Sequence, residues 1–414
     1  MKDINIKIAV AGNVDSGKST FTGVLVNNCL DDGRGSSRLS ILRTPHEKEC
    51  GRTSNISNNN FITIKNNERK IISLIDLAGH EKYFKTTLFG ITGCFVDYSL
   101  LMIGANMGIS KMTKEHLAVL LYLNVPIIIV ITKTDICPEN IYQRLIQRLK
   151  KLIIPKIFKK KPYFFKRNNA NKEMGNFMSM NNPLDTFIPI IPISNKSGDN
   201  IDITKNLLQS LYPKFKFKNP IKGTIMYVDS KFIVKGIGLV ISGTVRGEKF
   251  IVGQKVWLGP FNGQFLSCKI RSMHNNVREN VQEITPESHG CIALKFLDKS
   301  ITSRKKIKKG VILISDISMA QNLRREFNAE IKVLNHATTI SNRYSPIIHC
   351  GCIRQSASIQ ILEIIKGKKD SEKLRTGNKA VVKFRFLFRS EYIEKDFTLF
   401  FRDGSTKGFG KVIN

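Results

Sequence analysis

The stretch Gly12-Asn13-Val14-Asp15-Ser16-Gly17-Lys18-Ser19-Thr20 decides how this chain is read. It follows the apolar run Ile6-Lys7-Ile8-Ala9-Val10-Ala11 and opens a helical pattern, the strand, loop and helix context in which G-x-x-x-x-G-K-[ST] means a phosphate loop. Glycines at both ends let the backbone wrap phosphates, with successive N–H groups turned inward at the positive end of a helix dipole. Lys18 then reaches the β- and γ-phosphates and Ser19 holds Mg²⁺. A bare glycine-rich turn is the alternative, and the partner motifs that follow in order argue against it.

At 414 residues, 42% of them hydrophobic, the chain is long enough for two or three domains with cores of their own. The formal net charge is +33, which points to a polyanionic partner, nucleic acid first. Richness in Ile and Asn suggests an AT-rich coding sequence that inflates Lys, so part of this charge is discounted. Eight cysteines occur without a C-x-x-C pair, Cys350-Gly351-Cys352 being the nearest spacing, and they read as reduced thiols of a cytosolic protein rather than metal ligands. The chain opens on a strand with no secretion signal, and its central apolar run, 125–131, is interrupted by Pro126 and too short to span a bilayer. The expectation is a cytoplasmic protein with no membrane contact.

Up to about residue 212, apolar runs at 6–11, 61–64, 71–77, 98–104, 127–132 and 188–193 alternate with helical patterns. This predicts an α/β fold with a doubly wound, mostly parallel sheet, whose ligands sit at the carboxyl ends of the strands. The remaining motifs fall at such ends. In Asp76-Leu77-Ala78-Gly79-His80, Asp76 suits a Mg²⁺ shell and the Gly79 N–H suits a γ-phosphate. In Thr132-Lys133-Thr134-Asp135, Asp135 can accept from two N–H groups of guanine while Lys133 packs along the ring, selecting GTP over ATP. At Ser194-Asn195 a backbone N–H can meet the guanine O6. Each motif is weak alone; four in order are strong.

After residue 219 the pattern changes to short β runs split by Gly, Asn and Pro, as in small barrels. Gly236-Ile237-Gly238 has no helix pattern behind it, so it reads as tight barrel packing rather than a dinucleotide fingerprint. Residues 155–186 hold Lys159-Lys160-Lys161, Phe164-Phe165-Lys166-Arg167 and an Asn- and Met-rich run, and read as a mobile, basic insertion. It is either a solvated low-complexity loop, the preferred reading, or an RNA-contacting arm with aromatic stacking.

The stretches GNVDSGKST, GRTSNIS and DLAGHEKYFKTT resemble the translational GTPases of the elongation factor Tu class, and within it the eukaryotic GTP-binding protein 1 type. The resemblance covers nearly the whole chain and implies a GTP-binding domain at 1–215 followed by β-barrels at 219–318 and 323–414. It implies GTP/GDP and Mg²⁺ as cofactors, hydrolysis of GTP, a monomer, and the ribosome, tRNA or mRNA as partner. His80 takes the place of the residue that orients the attacking water, and Asp15 that of a loop aspartate that binds a monovalent cation. The first switch falls at Gly51-Arg52-Thr53-Ser54, where Thr53 is the preferred Mg²⁺ ligand and Ser54 the alternative. The class pattern R-G-I-T and the proline of D-x-P-G-H are both replaced here, the latter by Ala78. The rival functions are a GTP-dependent RNA-binding switch in mRNA turnover without tRNA delivery and a regulatory GTPase subunit of a metabolic enzyme, which the basic charge disfavours.

Overall fold

A computed structural model describes residues 3–42, 47, 53, 56–65, 67–154, 158–167, 170–217, 220–261, 263–297, 310–336, 338–367, 373–404 and 406–414. The chain forms two compact units, residues 1–91 with 96–215, and residues 92–95 with 216–414.

The first unit is built on a seven-stranded sheet in the order β2-β3-β1-β4-β5-β7-β6. Its strands are β1 (Asp3–Gly12), β2 (Ser57–Lys65), β3 (Glu68–Asp76), β4 (Tyr98–Gly104), β5 (Ile127–Thr132), β6 (Lys161–Phe164) and β7 (Phe187–Pro192). Only β2 runs antiparallel, against β3. Strands β4 and β5 are buried along their whole length because helices cover both faces, which explains their unbroken apolar runs. The crossing order reverses between β3 and β4, either side of β1, where Val10 pairs with Asp76 and Gly12 with Met102. In doubly wound sheets ligands sit at such a switch point, at the carboxyl ends of the strands, and the loop Gly12–Gly17 leaves β1 there.

The reading of 155–186 as a solvated loop or an aromatic stacking arm is corrected here, for the residues that are described. Lys161–Phe164 is the edge strand β6, paired in parallel with β7, and Ala170–Met178 is a helix. Phe165, Met174 and Phe177 are buried in the core of the unit, with Tyr163 packed against the ring of Phe177 at 4.9 Å. Met174 and Phe177, three residues apart, form one helix face, and this short apolar signal is diluted by the Asn and Lys around it. Residues 155–157, 168 and 169 lie outside the described residues.

The second unit holds two antiparallel barrels. In the first, Lys255–Phe261, Ile312–Ile314, Thr224–Val234, Gly238–Gly247, His289–Phe296 and Gln264–Asn275 follow one another, and the last pairs back with the first. In the second, Glu326–Asn335, Lys379–Phe386, Ile353–Lys366, Ile347–Cys350, Thr398–Asp403 and Thr406–Val412 close through pairing of the first with the last. Each barrel has its own apolar core. Between them Arg246 and Glu394 form a buried ion pair at 2.7 Å, with the Tyr227 hydroxyl donating to Glu394. Among the described residues no helix is long and apolar enough to cross a membrane.

Candidate nucleotide site

Two glycines set the shape of the loop between β1 and the helix Lys18–Asn27. Gly12 has φ +145°, and a Cβ there would lie 2.4 Å from the Met102 carbonyl oxygen. Gly17 caps the helix in the left-handed region at φ +79°. Inside the turn the Ser16 hydroxyl donates to the Asn13 carbonyl at 2.8 Å, and the Lys18 ammonium donates to the same oxygen at 2.6 Å. Val14, Ser19 and Thr20 are half-buried and Asp15 is exposed with φ +57°.

Lys18 is buried, and desolvation lowers its pKa, opposed by the negative charges of Asp76 and Asp15. Its one hydrogen bond among the described residues, to a neutral carbonyl, leaves an ammonium undercompensated in a dehydrated loop. An anion that brings its own charge fits that environment.

Three motifs far apart in sequence meet beside it. The Ser19 hydroxyl donates to Asp76 Oδ2 at 2.7 Å, the Thr53 hydroxyl donates to the same oxygen at 3.0 Å, and the two hydroxyls are 2.8 Å apart. Asp76 is fully buried at the end of β3. Burial raises its pKa, against the lowering effects of Lys18 and the two hydroxyls. Its Oδ1 has no hydrogen-bond partner among the described residues. Two hydroxyls and a carboxylate with an orphaned oxygen form the all-oxygen donor set that suits Mg²⁺. Gly51, Arg52 and Ser54 lie outside the described residues.

Beyond Asp76 the Leu77 N–H donates to the Val10 carbonyl at 3.1 Å, and the Thr87 hydroxyl donates to the Ala78 carbonyl at 2.7 Å. These bonds seat Gly79 directly on the loop: a Cβ there would meet Lys18 Nζ at 2.5 Å and the Asn13 carbonyl carbon at 2.6 Å. His80 is exposed, and its Nδ1 accepts the Lys82 N–H at 3.1 Å, capping a short 3₁₀ turn. Its ring meets Tyr83 edge-on, with centroids 6.1 Å apart.

The two segments expected from the sequence to meet a purine come together at the ends of β5 and β7. The buried Thr132 hydroxyl donates to the Ser16 carbonyl at 2.9 Å, fastening the end of β5 to the phosphate loop. Lys133 turns back at φ +60°, the Thr134 hydroxyl donates to the Ile193 carbonyl at 2.9 Å, and the Asp135 carboxylate is left exposed. Ser194 is buried and its hydroxyl accepts the N–H groups of Lys196 and Ser197 at 3.3 and 3.1 Å. Asn195 Oδ1 has no partner among the described residues.

One residue of the site escapes a sequence reading. His116 is fully buried on the helix Lys111–Tyr122, and its Nδ1 accepts the Gly12 N–H at 3.1 Å. Burial, reinforced by the Lys18 charge, lowers its pKa to about 3, so the ring is neutral. Phe84 stacks on it with ring centroids 5.4 Å apart. The contact spans 104 positions, and a single His on a helix carries no signal of it.

Residues 3–232 match the family described as Elongation factor Tu GTP binding domain. The chain is 38% identical over 432 residues to GTP-binding protein 1 of Xenopus laevis, covering 99% of this chain and 63% of that one. It is 34% identical over 432 residues to GTP-binding protein 2 of Mus musculus, covering 99% and 69%. The chain thus spans about two thirds of the length of these relatives. The crystal structure of translation elongation factor SelB from Methanococcus maripaludis in complex with the GTP analogue GPPNHP matches all of this chain and 80% of that one, with a TM-score of 0.70 at 22% identity. That last match is a likeness of fold.

Proposed function

This chain belongs to the family of elongation factor Tu GTP-binding domains, and from that premise we propose that it binds GTP and GDP with Mg²⁺ and hydrolyses GTP to GDP and phosphate. The observation that carries the reading is the convergence of Ser19, Thr53 and Asp76 on one cluster of oxygens beside the buried ammonium of Lys18.

Ser19, Thr53 and Asp76 would hold Mg²⁺, which when bound supplies positive charge to offset that of the phosphates. Lys18 compensates β- and γ-phosphate oxygens, and the N–H groups from Asn13 to Thr20 line the rest of the loop. The Gly79 N–H turns to the γ-phosphate. Asp135 accepts from guanine N1–H and N2–H₂, Lys133 lies along the ring, and the backbone at Ser194 and Asn195 meets O6. Asp15 is the weaker assignment, to a monovalent cation.

His80 orients the attacking water. Its Nδ1 accepts the Lys82 N–H, which ties the ring's orientation to the turn after Gly79, so a partner that moves the segment Gly79–Tyr83 would set where the ring points. We take the partner to be the ribosome or tRNA, the chain to be a cytoplasmic monomer, and its domains to divide at 1–215, 219–318 and 323–414. Co-sedimentation with ribosomes tests the partner. Pelleting should depend on a non-hydrolysable GTP analogue, and a chain that stays in the supernatant with either nucleotide would contradict the reading.

A further inference from the structure

The helix Glu139–Leu152 and the segment that follows it carry a concentration of positive charge that the nucleotide site does not use. Residues 139–167 contain ten Lys or Arg and one acidic residue, Glu139, whereas the whole chain has 66 of the former to 33 of the latter. A coding bias toward Lys would raise Lys throughout and would not strip carboxylates from one segment. Glu139 is already engaged, by Arg167 at 3.0 Å.

The helix buries Tyr142, Leu145 and Leu149 against the sheet. Its outer face carries exposed Arg144, Arg148 and Lys151, one cation per turn, roughly 4.5–6 Å apart along the axis. Strand β6 and its approach lie alongside: Lys150 Nζ is 5.5 Å from the Phe164 ring centroid, and the Arg167 guanidinium is 3.8 Å from the Tyr142 ring. Lys159, on the approach to β6, and Lys161, its first residue, are exposed as well. None of Arg144, Arg148, Lys150, Lys151, Lys159 and Lys161 forms an ion pair among the described residues.

We propose that this ridge on the nucleotide unit is a binding surface for the phosphodiester backbone of structured RNA. The inference rests on the proposed function only in taking RNA as the polyanion at hand. A bilayer is disfavoured because the apolar face of the helix is spent on the core, leaving nothing to insert. An acidic protein segment is disfavoured because interfaces of that kind need apolar anchors at their centre, and here cation follows cation. Evenly spaced, unpaired cations on a rigid element match a linear array of phosphates and read no sequence.

The test is binding of the full chain to an RNA duplex of about 20 base pairs across a salt series, followed by fluorescence anisotropy. Arg144→Gln, Arg148→Gln and Lys151→Gln are combined in one variant, all three being exposed and outside the nucleotide site. At about 0.9 unit of slope per phosphate contact, the variant should lose two to three units of the dependence of log K on log salt while keeping wild-type GTP affinity. Equal slopes and affinities for the two proteins, with wild-type binding salt-dependent, would overturn the ridge alone. A wild-type chain with no salt-dependent RNA binding would overturn the ridge and the RNA partner together. Equal binding of wild type to phosphatidylserine vesicles would overturn RNA as the occupant.

Discussion

Gly79→Ala is the sharpest steric probe of the site. The backbone at Gly79 is outside the left-handed region, so alanine meets no dihedral obstacle and the cost is one of space. The added methyl would lie 2.5 Å from Lys18 Nζ and 2.6 and 2.7 Å from the carbonyl carbon and oxygen of Asn13. Relaxed carbon contacts need about 3.5–4.0 Å, so something must retreat by roughly 1 Å. The Asn13 carbonyl oxygen is the atom that fixes Lys18 at 2.6 Å, and the backbone on either side is pinned by the Gly12 to His116 and Leu77 to Val10 bonds. Overpacking of this kind costs about 1–3 kcal/mol, and displacing a charged donor from its partner about 1.5–3 kcal/mol. The two overlap, so a combined loss of about 2–4 kcal/mol is expected. At about 1.4 kcal/mol per decade this is a 30- to 700-fold weaker affinity for GTP. Titration calorimetry on the variant measures it, with Gly108→Ala as control, since that position has positive φ but nothing within 4 Å of a Cβ. A Gly79→Ala affinity within threefold of wild type would refute the reasoning.

Three further outcomes follow from the same geometry. Lys18→Ala should abolish tight nucleotide binding while leaving the circular dichroism spectrum intact, because the side chain points into the site and not the core; unchanged GTP affinity would exclude the loop. Asp135→Asn should move preference from guanosine to xanthosine nucleotides, because xanthine O2 accepts where guanine donates, and competition binding reads the change. His116 has a folded pKa of about 3 against about 6.5 unfolded. The unfolded chain therefore binds more protons between those values, and this contribution to stability is complete above pH 6.5 and lost as pH falls through 3. Relative to His116→Gln, the wild-type chain should lose about 2–3 kcal/mol between pH 6.5 and 4.5, measured by urea unfolding at both values.

The site was legible in proportion to how local its contacts are. The phosphate loop packs its glycines, Lys18 and Ser19 into nine consecutive residues, and the purine motifs lie at strand ends whose unbroken Ile and Val runs mark them. Asp76 and Thr53 could be named from their motifs, but not the 2.7 and 3.0 Å geometry that joins them to Ser19. His116 was illegible because a long-range bond to a backbone N–H leaves no pattern. The described residues of 155–186 form an edge strand and a helix where a loop was expected, because composition outweighed the spacing of Phe165, Met174 and Phe177, which are buried in the first unit's core. Barrel architecture was readable from short β runs, whereas closure rests on pairing between Lys255–Phe261 and Gln264–Asn275 and between Glu326–Asn335 and Thr406–Val412.

The most direct measurement is single-turnover hydrolysis of GTP by wild type and His80→Ala, each with and without ribosomes. If the imidazole positions water, as proposed, and does not hold the nucleotide, GTP affinity in the variant should be nearly unchanged. Its turnover should be slower by roughly two to four orders of magnitude, the range for one positioned catalytic side chain. The gap should be widest with ribosomes present, where a partner that moves the turn Gly79–Tyr83 would bring the ring into line. Equal rates for the two proteins under both conditions would contradict the account and leave a passive GTP binder.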